Sequence, residues 1–328
     1  MIIKEMHLFA GIGGGIYGGH LLNHTCFWAV EINPYCQEVL QQRQLDGWLN
    51  EFPIYGDITT LSGKYFVDTF DILCGGFPCQ AFSHAARGNN IPEKNLWPEM
   101  FRFAQESNAP MVFAENVTKK AITKAMSDLM SIGYRAQYCK LSCGDIGADH
   151  RRDRYWLLAV KDEFVFNKVI TNQAENTKVH NGCWTSEFVE PKSDNIKKSK
   201  QLTSVGNAQS PLVAYLAFRV LCDRLQDYKE YSPSVTKEEL NKYCTFETSW
   251  IKKAFGEDFG YVHTPTTMAN YSAPSMMKHL GCRNFVKVFN KPTPANAEYL
   301  IGFPKGASSN TPQPMDNFTE WFNSIKQS

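Results

Sequence analysis

The chain lacks the marks of a membrane or secreted protein. No apolar run in its 328 residues approaches the ~20 residues that cross a bilayer. Residues 1–9 already alternate like a β-strand and lead directly into a glycine-rich loop, so we expect no signal peptide. The 34 basic and 33 acidic side chains nearly cancel, which argues against a polycation, although a local basic face is sufficient to bind nucleic acid.

No Cys-x-x-Cys pair occurs among the ten cysteines, which argues against a zinc site or a redox dithiol. Disulfides are not expected either, because no secretory segment is expected. We therefore predict that most of the cysteines are reduced and fill the core as small apolar side chains, and that the protein holds no metal.

Short apolar runs alternate with helical patterns over the first 160 residues. The predicted strands are Lys4–Phe9, Cys26–Val30, Pro53–Tyr55, Asp71–Cys74, Met111–Ala114, Tyr134–Leu141 and Tyr155–Val160. Runs this short and apolar are typical of strands covered on both faces, and helical patterns such as Pro34–Arg43 and Thr118–Ile132 lie between them. The alternation predicts an α/β fold with a doubly wound, mostly parallel sheet.

The composition changes after this region. Residues 161–200 are polar, which predicts a loop or a small excursion, and a helical pattern returns over residues 201–223. Residues 224–328 are irregular and rich in turns. We therefore predict a catalytic and cofactor-binding domain over residues 1–223 and a smaller, irregular region over residues 224–328.

A glycine-rich loop, residues 11–19, follows the first predicted strand and should open a helix. Its stretch from Gly13 to Gly18 fits G-x-G-x-x-G, which alone is a weak signal. Glu31 and Asp57 follow later strands, where they can accept from a ribose and from an adenine amino group. S-adenosylmethionine and NAD both need such contacts, so both cofactors stay open at this point, as does a plain turn with solvated carboxylates.

Cys79 lies in a glycine- and proline-shaped turn directly after the apolar run Ile72–Cys74. An arbitrary cysteine is most often a structural thiol. This turn, however, should hold the sulfur at the ligand-binding edge of the sheet. A free thiol with a pKa of about 8.5 needs little electrostatic help to become a reactive thiolate. The setting therefore favours Cys79 as a nucleophile.

Charged residues follow or precede two further strands. Glu115 comes directly after Met111–Ala114, where it can cap a helix or serve as a proton donor beside a nucleophile. Arg152 and Arg154 precede Tyr155–Val160 and share one side of an extended chain. A run of charges is usually a solvated face, but two arginines that enter an apolar strand can also hold a nucleotide.

These segments together resemble the ordered motifs of the DNA (cytosine-5)-methyltransferase family. The matching segments are Phe9-Ala10-Gly11-Ile12-Gly13-Gly14, Glu31, Gly56-Asp57-Ile58, Gly76-Phe77-Pro78-Cys79-Gln80, Glu115-Asn116-Val117, His150-Arg151-Arg152-Asp153-Arg154 and Val205-Gly206-Asn207-Ala208. They cover residues 8 to about 217, roughly two thirds of the chain. His150 stands where glutamine is common in the family.

One departure concerns the target-recognition region, which in many relatives separates the arginine motif from the Gly-Asn motif. Here that gap is only about 50 residues, and a tail of roughly 100 residues follows instead. Within the tail, Glu298–Pro304 resembles the penultimate motif of the family, displaced to after the last one. The resemblance therefore implies a rearranged recognition region within residues 224–328.

The resemblance implies a Rossmann-like methyltransferase that uses S-adenosylmethionine, releases S-adenosylhomocysteine and needs no metal. Cys79 would add to the cytosine ring, Glu115 would bind its N3 edge, Arg152 would hold its carbonyl oxygen and Arg154 would support Arg152. The implied cofactor-binding residues are Phe9, Ala10, Gly11, Gly13, Gly14, Glu31, Ile32, Asp57, Ile58, Phe77, Asn207 and Ala208.

The implied partner is double-stranded DNA with the target base flipped out of the helix. The segment 83–95 is expected to close over that base, and Lys192, Lys197, Lys198 and Lys200 are candidates for phosphate contacts, although a solvated basic loop is the simpler interpretation. We expect a monomer, without a membrane partner, in the cytoplasm of a bacterial or phage-infected cell. The alternatives are a tRNA cytosine-5 methyltransferase, a catalytically silent binding protein and, on the glycine loop alone, a nicotinamide-dependent oxidoreductase.

Overall fold

The computed structural model describes residues 1–78, 95–174, 178–189, 198–227, 229–264, 271 and 273–326. The strands are β1 (Ile3–Leu8), β2 (His24–Val30), β3 (Ile54–Tyr55), β4 (Ile72–Gly76), β5 (Met111–Asn116), β6 (Arg135–Leu141), β7 (Arg154–Val160), β8 (Val179–His180) and β9 (Cys244–Thr245). The helices are α1 (Gly14–Leu21), α2 (Pro34–Leu45), α3 (Trp97–Glu106), α4 (Lys119–Ser131), α5 (Glu163–Ala174), α6 (Lys198–Asn207), α7 (Pro211–Gln226), α8 (Lys237–Asn241), α9 (Trp250–Phe255), α10 (Leu280–Phe289), α11 (Pro294–Ile301) and α12 (Met315–Lys326).

A seven-stranded sheet in the order β3-β2-β1-β4-β5-β7-β6 forms the centre of the protein. Strands β1 to β5 run parallel, and β7 runs antiparallel to both of its neighbours. All seven predicted strands form, with ends within two residues of the predicted ones. The prediction of a doubly wound, mostly parallel α/β sheet is confirmed, and the strand order reverses beside β1, where such folds bind their ligands.

Helices cover both faces of the sheet, which explains why central strands such as β4 and β5 are mostly apolar. On one face, α1, α2 and α7 bury a large core that includes Tyr17 and Phe218. On the other face, α3 and α4 bury a second core that includes Phe103 and Leu129. The nine described cysteines are free thiols, and all but Cys183 are buried.

The segment 161–200 contains a helix that its polar composition did not predict. Helix α5 places Phe166 and Val169 in the main core, where they are 2% and 0% exposed. These positions are three apart and share one face of a helix, whereas Asn167 between them is exposed and Lys168 pairs with Asp71. The average polarity therefore hid a helical apolar stripe.

The C-terminal part contributes to two cores. Within residues 251–300, Ile251, Phe285 and Phe289 belong to a separate small core, in which Tyr271 stacks on Phe285 with ring centroids 4.4 Å apart. Residues 297–325, in contrast, add side chains to the main core. The predicted domain boundary at residue 223 stays a prediction. The part of the tail that has a separate core, residues 251–300, is about 50 residues long. Among the described helices, none is long and apolar enough to cross a membrane.

The displaced motif returns to the first two helices of the chain. Phe303 packs edge-on against Tyr17 of α1, with ring centroids 5.7 Å apart. The buried carboxylate of Glu298 accepts hydrogen bonds from the backbone N–H groups of Gly306 and Ser308, each at 2.8 Å. These bonds hold the turn after the motif in the shape that docks on α2.

Arg43 of α2 fastens this turn to the rest of the protein. Its buried guanidinium donates to the carbonyl oxygens of Gly306 at 3.0 Å and Thr311 at 2.6 Å, and pairs with Asp46 at 2.8 Å. The guanidinium also lies over the ring of Trp48, 4.6 Å from the centroid. Arg43 thereby connects positions more than 260 residues apart in sequence.

We expect Arg43→Met to lower the free energy of unfolding by about 3–5 kcal/mol, because it leaves a buried carboxylate and two carbonyl groups without their cation. Urea unfolding followed by tryptophan fluorescence measures the change. Lys124→Met is the control, since Lys124 is 67% exposed in its pair with Asp128 and should contribute less than about 1 kcal/mol. Equal stabilities of the two variants would contradict the role given to Arg43.

Candidate active site

The glycine loop turns sharply between β1 and α1. Gly13 has a φ of 89°, lies at the amino end of α1 and donates its N–H to the carbonyl oxygen of Ala10 at 2.9 Å. Gly11 has a φ of 55°, and no atom of the described residues lies within 4 Å of the point where a Cβ would stand. The loop therefore leaves an open cradle at the carboxyl end of β1, where a ligand can approach the backbone.

Glu31 joins this loop to the end of β2. Its two carboxylate oxygens accept the backbone N–H groups of Gly11 at 2.7 Å and Asn33 at 2.8 Å. Ile32, the next residue, is 67% exposed. One strand further on, the carboxylate of Asp57 accepts the N–H of Thr59 at 2.8 Å. An open cradle, an ordered carboxylate and an exposed apolar side chain fit a ribose and a planar base.

The other predicted cofactor-binding residues differ in how exposed their side chains are. Phe9 and Ala10 are half-buried in the loop, and Gly14 is buried at the start of α1. Ile58, Phe77 and Ala208 are at most 7% exposed, so their side chains pack in the protein interior, whereas Asn207 is exposed. That Ile58, Phe77, Ala208 and Asn207 bind the cofactor stays a prediction. The three buried residues among them would bind it through backbone atoms.

Glu115 and Arg154 form an ion pair at the same edge of the sheet. Strand β7 is antiparallel to β5, so its first residues lie beside the last residues of β5. Arg154 Nε lies 3.0 Å from Glu115 Oε1, and the side chains are 20% and 10% exposed. This pair places a carboxylate next to a fixed positive charge, an arrangement that can bind both edges of a heterocyclic base.

Arg152 points to a different partner. Its guanidinium donates to the carbonyl oxygens of Gly206 at 3.0 Å and Ala208 at 2.5 Å. Its backbone φ of 50° is unusual for a residue with a side chain. Burial, together with the charge of Arg154, lowers the pKa of Arg152 to about 9. Arg152 thus joins the arginine segment to the Gly-Asn segment, while Arg154 is the arginine in contact with Glu115.

Cys79 lies outside the described residues, as do 83–94, Lys192, Lys197 and the side chain of Lys198. The strand that leads to Cys79 is described. Gly76, three residues before the thiol, is paired with Glu115 in the parallel ladder of β4 and β5. Asn116 donates its side-chain N–H to the carbonyl oxygen of Phe77 at 3.0 Å. These contacts fix the chain just before Cys79 beside Glu115. Lys200 is exposed on α6.

A buried polar cluster that was not predicted from the sequence lies below the glycine loop. Glu5 accepts hydrogen bonds from His7 at 2.8 Å and His24 at 2.7 Å, and Glu5, His7 and Cys74 offer ligand atoms within 4.8 Å of one another. Burial alone would raise the pKa of Glu5, but the bonds from His24 and His7 outweigh it and lower the pKa to about 2. These three residue types can hold a metal, but the two hydrogen bonds already occupy the carboxylate. The signal for this cluster in the sequence was the spacing of Ile3, Glu5 and His7 at every second residue of β1, which places them on one face of the strand.

His150 is wholly buried, and neither ring nitrogen has a hydrogen-bond partner in the described part of the chain. Burial, with the charges of Arg152 and Arg154, lowers its pKa from 6.5 to about 3. The folded protein therefore keeps the imidazole neutral, whereas the unfolded chain binds a proton below about pH 6.5. The folded protein therefore loses stability as the pH falls from about 6.5 towards about 3.

We expect His150→Gln to remove this part of the acid sensitivity. At 1.36 kcal/mol per pH unit, the wild type should lose about 2 kcal/mol more than the variant between about pH 7.5 and pH 5. Urea unfolding at both pH values measures the difference. His279→Gln, at an exposed histidine, is the control and should behave like the wild type. A variant as acid-sensitive as the wild type would contradict the buried neutral state.

The doubly wound sheet, the cradle at its switch point and the acidic strand ends define an α/β protein of the nucleotide-binding type. Comparison with known families narrows this class. The chain belongs to the C-5 cytosine-specific DNA methylase family, whose family model matches residues 3–280.

Two curated relatives illustrate the similarity. The chain is 28% identical over 171 residues to type II methyltransferase M.MspI of Moraxella sp, covering 48% of this chain and 38% of that protein. It is 28% identical over 181 residues to type II methyltransferase M.CviJI of Paramecium bursaria Chlorella virus IL3A, covering 52% and 47%. The chain thus spans less than half the length of these relatives. A solved structure of a DNMT2 mutant from Spodoptera frugiperda is 20% identical, with a TM-score of 0.40 over 49% of this chain and 50% of that chain.

Proposed function

We propose that this protein transfers a methyl group from S-adenosylmethionine to carbon 5 of a cytosine flipped out of duplex DNA. Family membership supports the reaction class. The observation that carries the proposal is the Glu115–Arg154 pair at 3.0 Å, in register with the strand that delivers Cys79. A carboxylate, a guanidinium and a thiol are groups that can together add to a pyrimidine ring.

The cofactor would lie across the glycine loop, with its ribose toward Glu31 and its base toward Ile32 and Asp57. The open space at Gly11 and the 67% exposed side chain of Ile32 support this placement. When bound, S-adenosylmethionine supplies an electrophilic methyl group on a positively charged sulfur. No metal is needed for this transfer.

Carbon 5 of cytosine is too weak a nucleophile to accept a methyl group directly. Addition of the Cys79 thiolate to carbon 6 breaks the aromaticity and makes carbon 5 nucleophilic. The Glu115 carboxyl group forms a hydrogen bond with ring nitrogen 3 and stabilises the electron density that collects there. After methylation, carbon 5 loses its proton and the thiolate leaves carbon 6.

The two arginines have different roles in the proposed reaction. Arg154, which contacts Glu115, would hold the carbonyl oxygen at carbon 2 of the ring. Arg152, whose guanidinium is bound to the carbonyl groups of Gly206 and Ala208, keeps the arginine segment attached to the Gly-Asn segment. This assignment reverses the roles that the sequence resemblance implied.

The region that reads the DNA would be residues 251–300, within the predicted region 224–328. Exposed basic residues there include Lys278, Arg283, Lys287 and Lys291. Arg151 of the arginine segment stacks over Tyr261 at 5.0 Å, which joins this region to the active site. These cations can neutralise phosphates and offset the few kcal/mol that base flipping costs. We infer that the protein acts as a monomer on double-stranded DNA in a bacterial or virus-infected cell, in restriction–modification or self-protection.

Bisulfite sequencing of duplex DNA treated with the purified protein and S-adenosylmethionine tests this function. The expected result is protection of cytosines in one short sequence context. Duplex DNA that contains 5-fluorocytosine should form a covalent complex that survives denaturation. Unprotected DNA, or preferential methylation of tRNA in direct competition, would overturn the proposal.

A further inference from the structure

Gln209 lies where the three parts of the site meet. It follows α6 and precedes α7, and its side-chain Nε2 lies 3.5 Å from Glu115 Oε2. The quoted Gly-Asn segment ends one residue earlier, at Ala208, and the resemblance assigned no role to Gln209.

Three glycines leave room for this residue. A Cβ at Gly76, on the strand that leads to Cys79, would stand 2.9 Å from Gln209 Nε2. A Cβ at Gly15 would stand 2.6 Å from Gln209 Oε1, and one at Gly14 only 2.2 Å from its backbone oxygen. The strand that leads to Cys79 and the start of α1 therefore both lie against Gln209.

The carboxylate of Glu115 has one donor near each oxygen. Arg154 Nε lies 3.0 Å from Oε1, and the Gln209 amide lies 3.5 Å from Oε2. Oε1 accepts no hydrogen bond from the described residues, so the amide is the donor that can fix the plane of the carboxyl group, which a charge contact alone leaves free to rotate. A bond of 3.5 Å is long, and catalytic hydrogen bonds commonly tighten only when substrate is bound.

We propose that Gln209 is a positioning residue that orients the Glu115 carboxyl group toward the target base and couples this orientation to the cofactor loop at Gly14 and Gly15. This inference rests on the proposed cytosine methyl transfer. It predicts that the methyl-transfer step, rather than cofactor binding, depends on the side chain at position 209.

Gln209→Leu removes the amide at similar size. Single-turnover methylation should slow by about 10–100-fold, because a catalytic group misplaced by about 1 Å can cost a factor of about 100. The Kd for S-adenosylhomocysteine, measured by titration calorimetry, should change by less than about threefold. A purely structural role would instead weaken binding and turnover together with the melting temperature.

Gln209→Glu gives a signature that packing alone does not produce. It is isosteric but places a second carboxylate about 3.5 Å from Glu115, and two such groups resist simultaneous ionisation. The alkaline limb of the pH profile for single-turnover methylation should therefore move upward by about one pH unit or more. Gln137→Glu, the same change on the edge strand β6, is the matched control and should leave the profile unchanged.

Each outcome has a distinct meaning. Wild-type rates for Gln209→Leu and an unshifted profile for Gln209→Glu, with an active wild type, would overturn this inference alone. A wild type that methylates no cytosine would overturn the proposed function. If the leucine variant does not fold, the profile of the isosteric glutamate variant decides.

Discussion

Replacing Cys79 by serine is expected to reduce methyl transfer at least about 1,000-fold while cofactor affinity stays within a factor of about two. The serine hydroxyl is far less acidic than a thiol with a pKa of about 8.5, so almost no nucleophilic anion forms near neutral pH. Incorporation of a labelled methyl group into DNA measures turnover, and calorimetric titration with S-adenosylhomocysteine measures binding.

Cys183→Ser is the control for this prediction, because Cys183 is a free thiol that is not fully buried and lies outside the proposed site. The control should methylate at the wild-type rate and form the same adduct with 5-fluorocytosine DNA, whereas Cys79→Ser should form none. A Cys79→Ser protein with more than about a tenth of the wild-type rate would rule out the covalent route.

Glu115→Gln is expected to lower the maximal rate by about 100- to 10,000-fold, the range typical for loss of a general acid or base. The substitution removes the acidic proton donated to ring nitrogen 3 and leaves Arg154 without its carboxylate. Single-turnover kinetics with saturating DNA separate this loss from weaker binding, which should change by less than about tenfold.

Glu163→Gln is the matched control for Glu115→Gln, since Glu163 also pairs with an arginine but is 54% exposed and lies on α5. It should leave the rate unchanged. Comparable losses in both variants would mean that Glu115 acts only through general stability.

Local patterns were sufficient to predict the central sheet. Most strands contain a short apolar run, and Gly13, Glu31 and Glu115 lie at or shortly after strand ends, so topology alone brings them to one edge. The stripe of α5 was missed because Phe166 and Val169 are separated by polar residues that dominate any average over the segment.

Contacts between distant segments could not be predicted in this way. Arg152 and Arg154 are two residues apart and were predicted to share one side of an extended chain, but Arg152 has a left-handed backbone, and its guanidinium donates to the carbonyl oxygens of Gly206 and Ala208. Gln209 belongs to no recognisable pattern, and its position follows only from the packing of α1 and α7 around Gly14. Such roles depend on tertiary geometry, which the spacing of residue types does not encode.

The return of the tail to α1 and α2 has an evolutionary consequence. Helix α7 before the small core and helix α12 after it both pack in the main core, so both ends of the segment between them are held on the same body. Lengthening a tethered excursion costs little entropy, since each doubling adds only about 0.6 kcal/mol. The segment between these two helices can therefore change in length or sequence during evolution, while the sheet and the helices that form the proposed active site keep their structure.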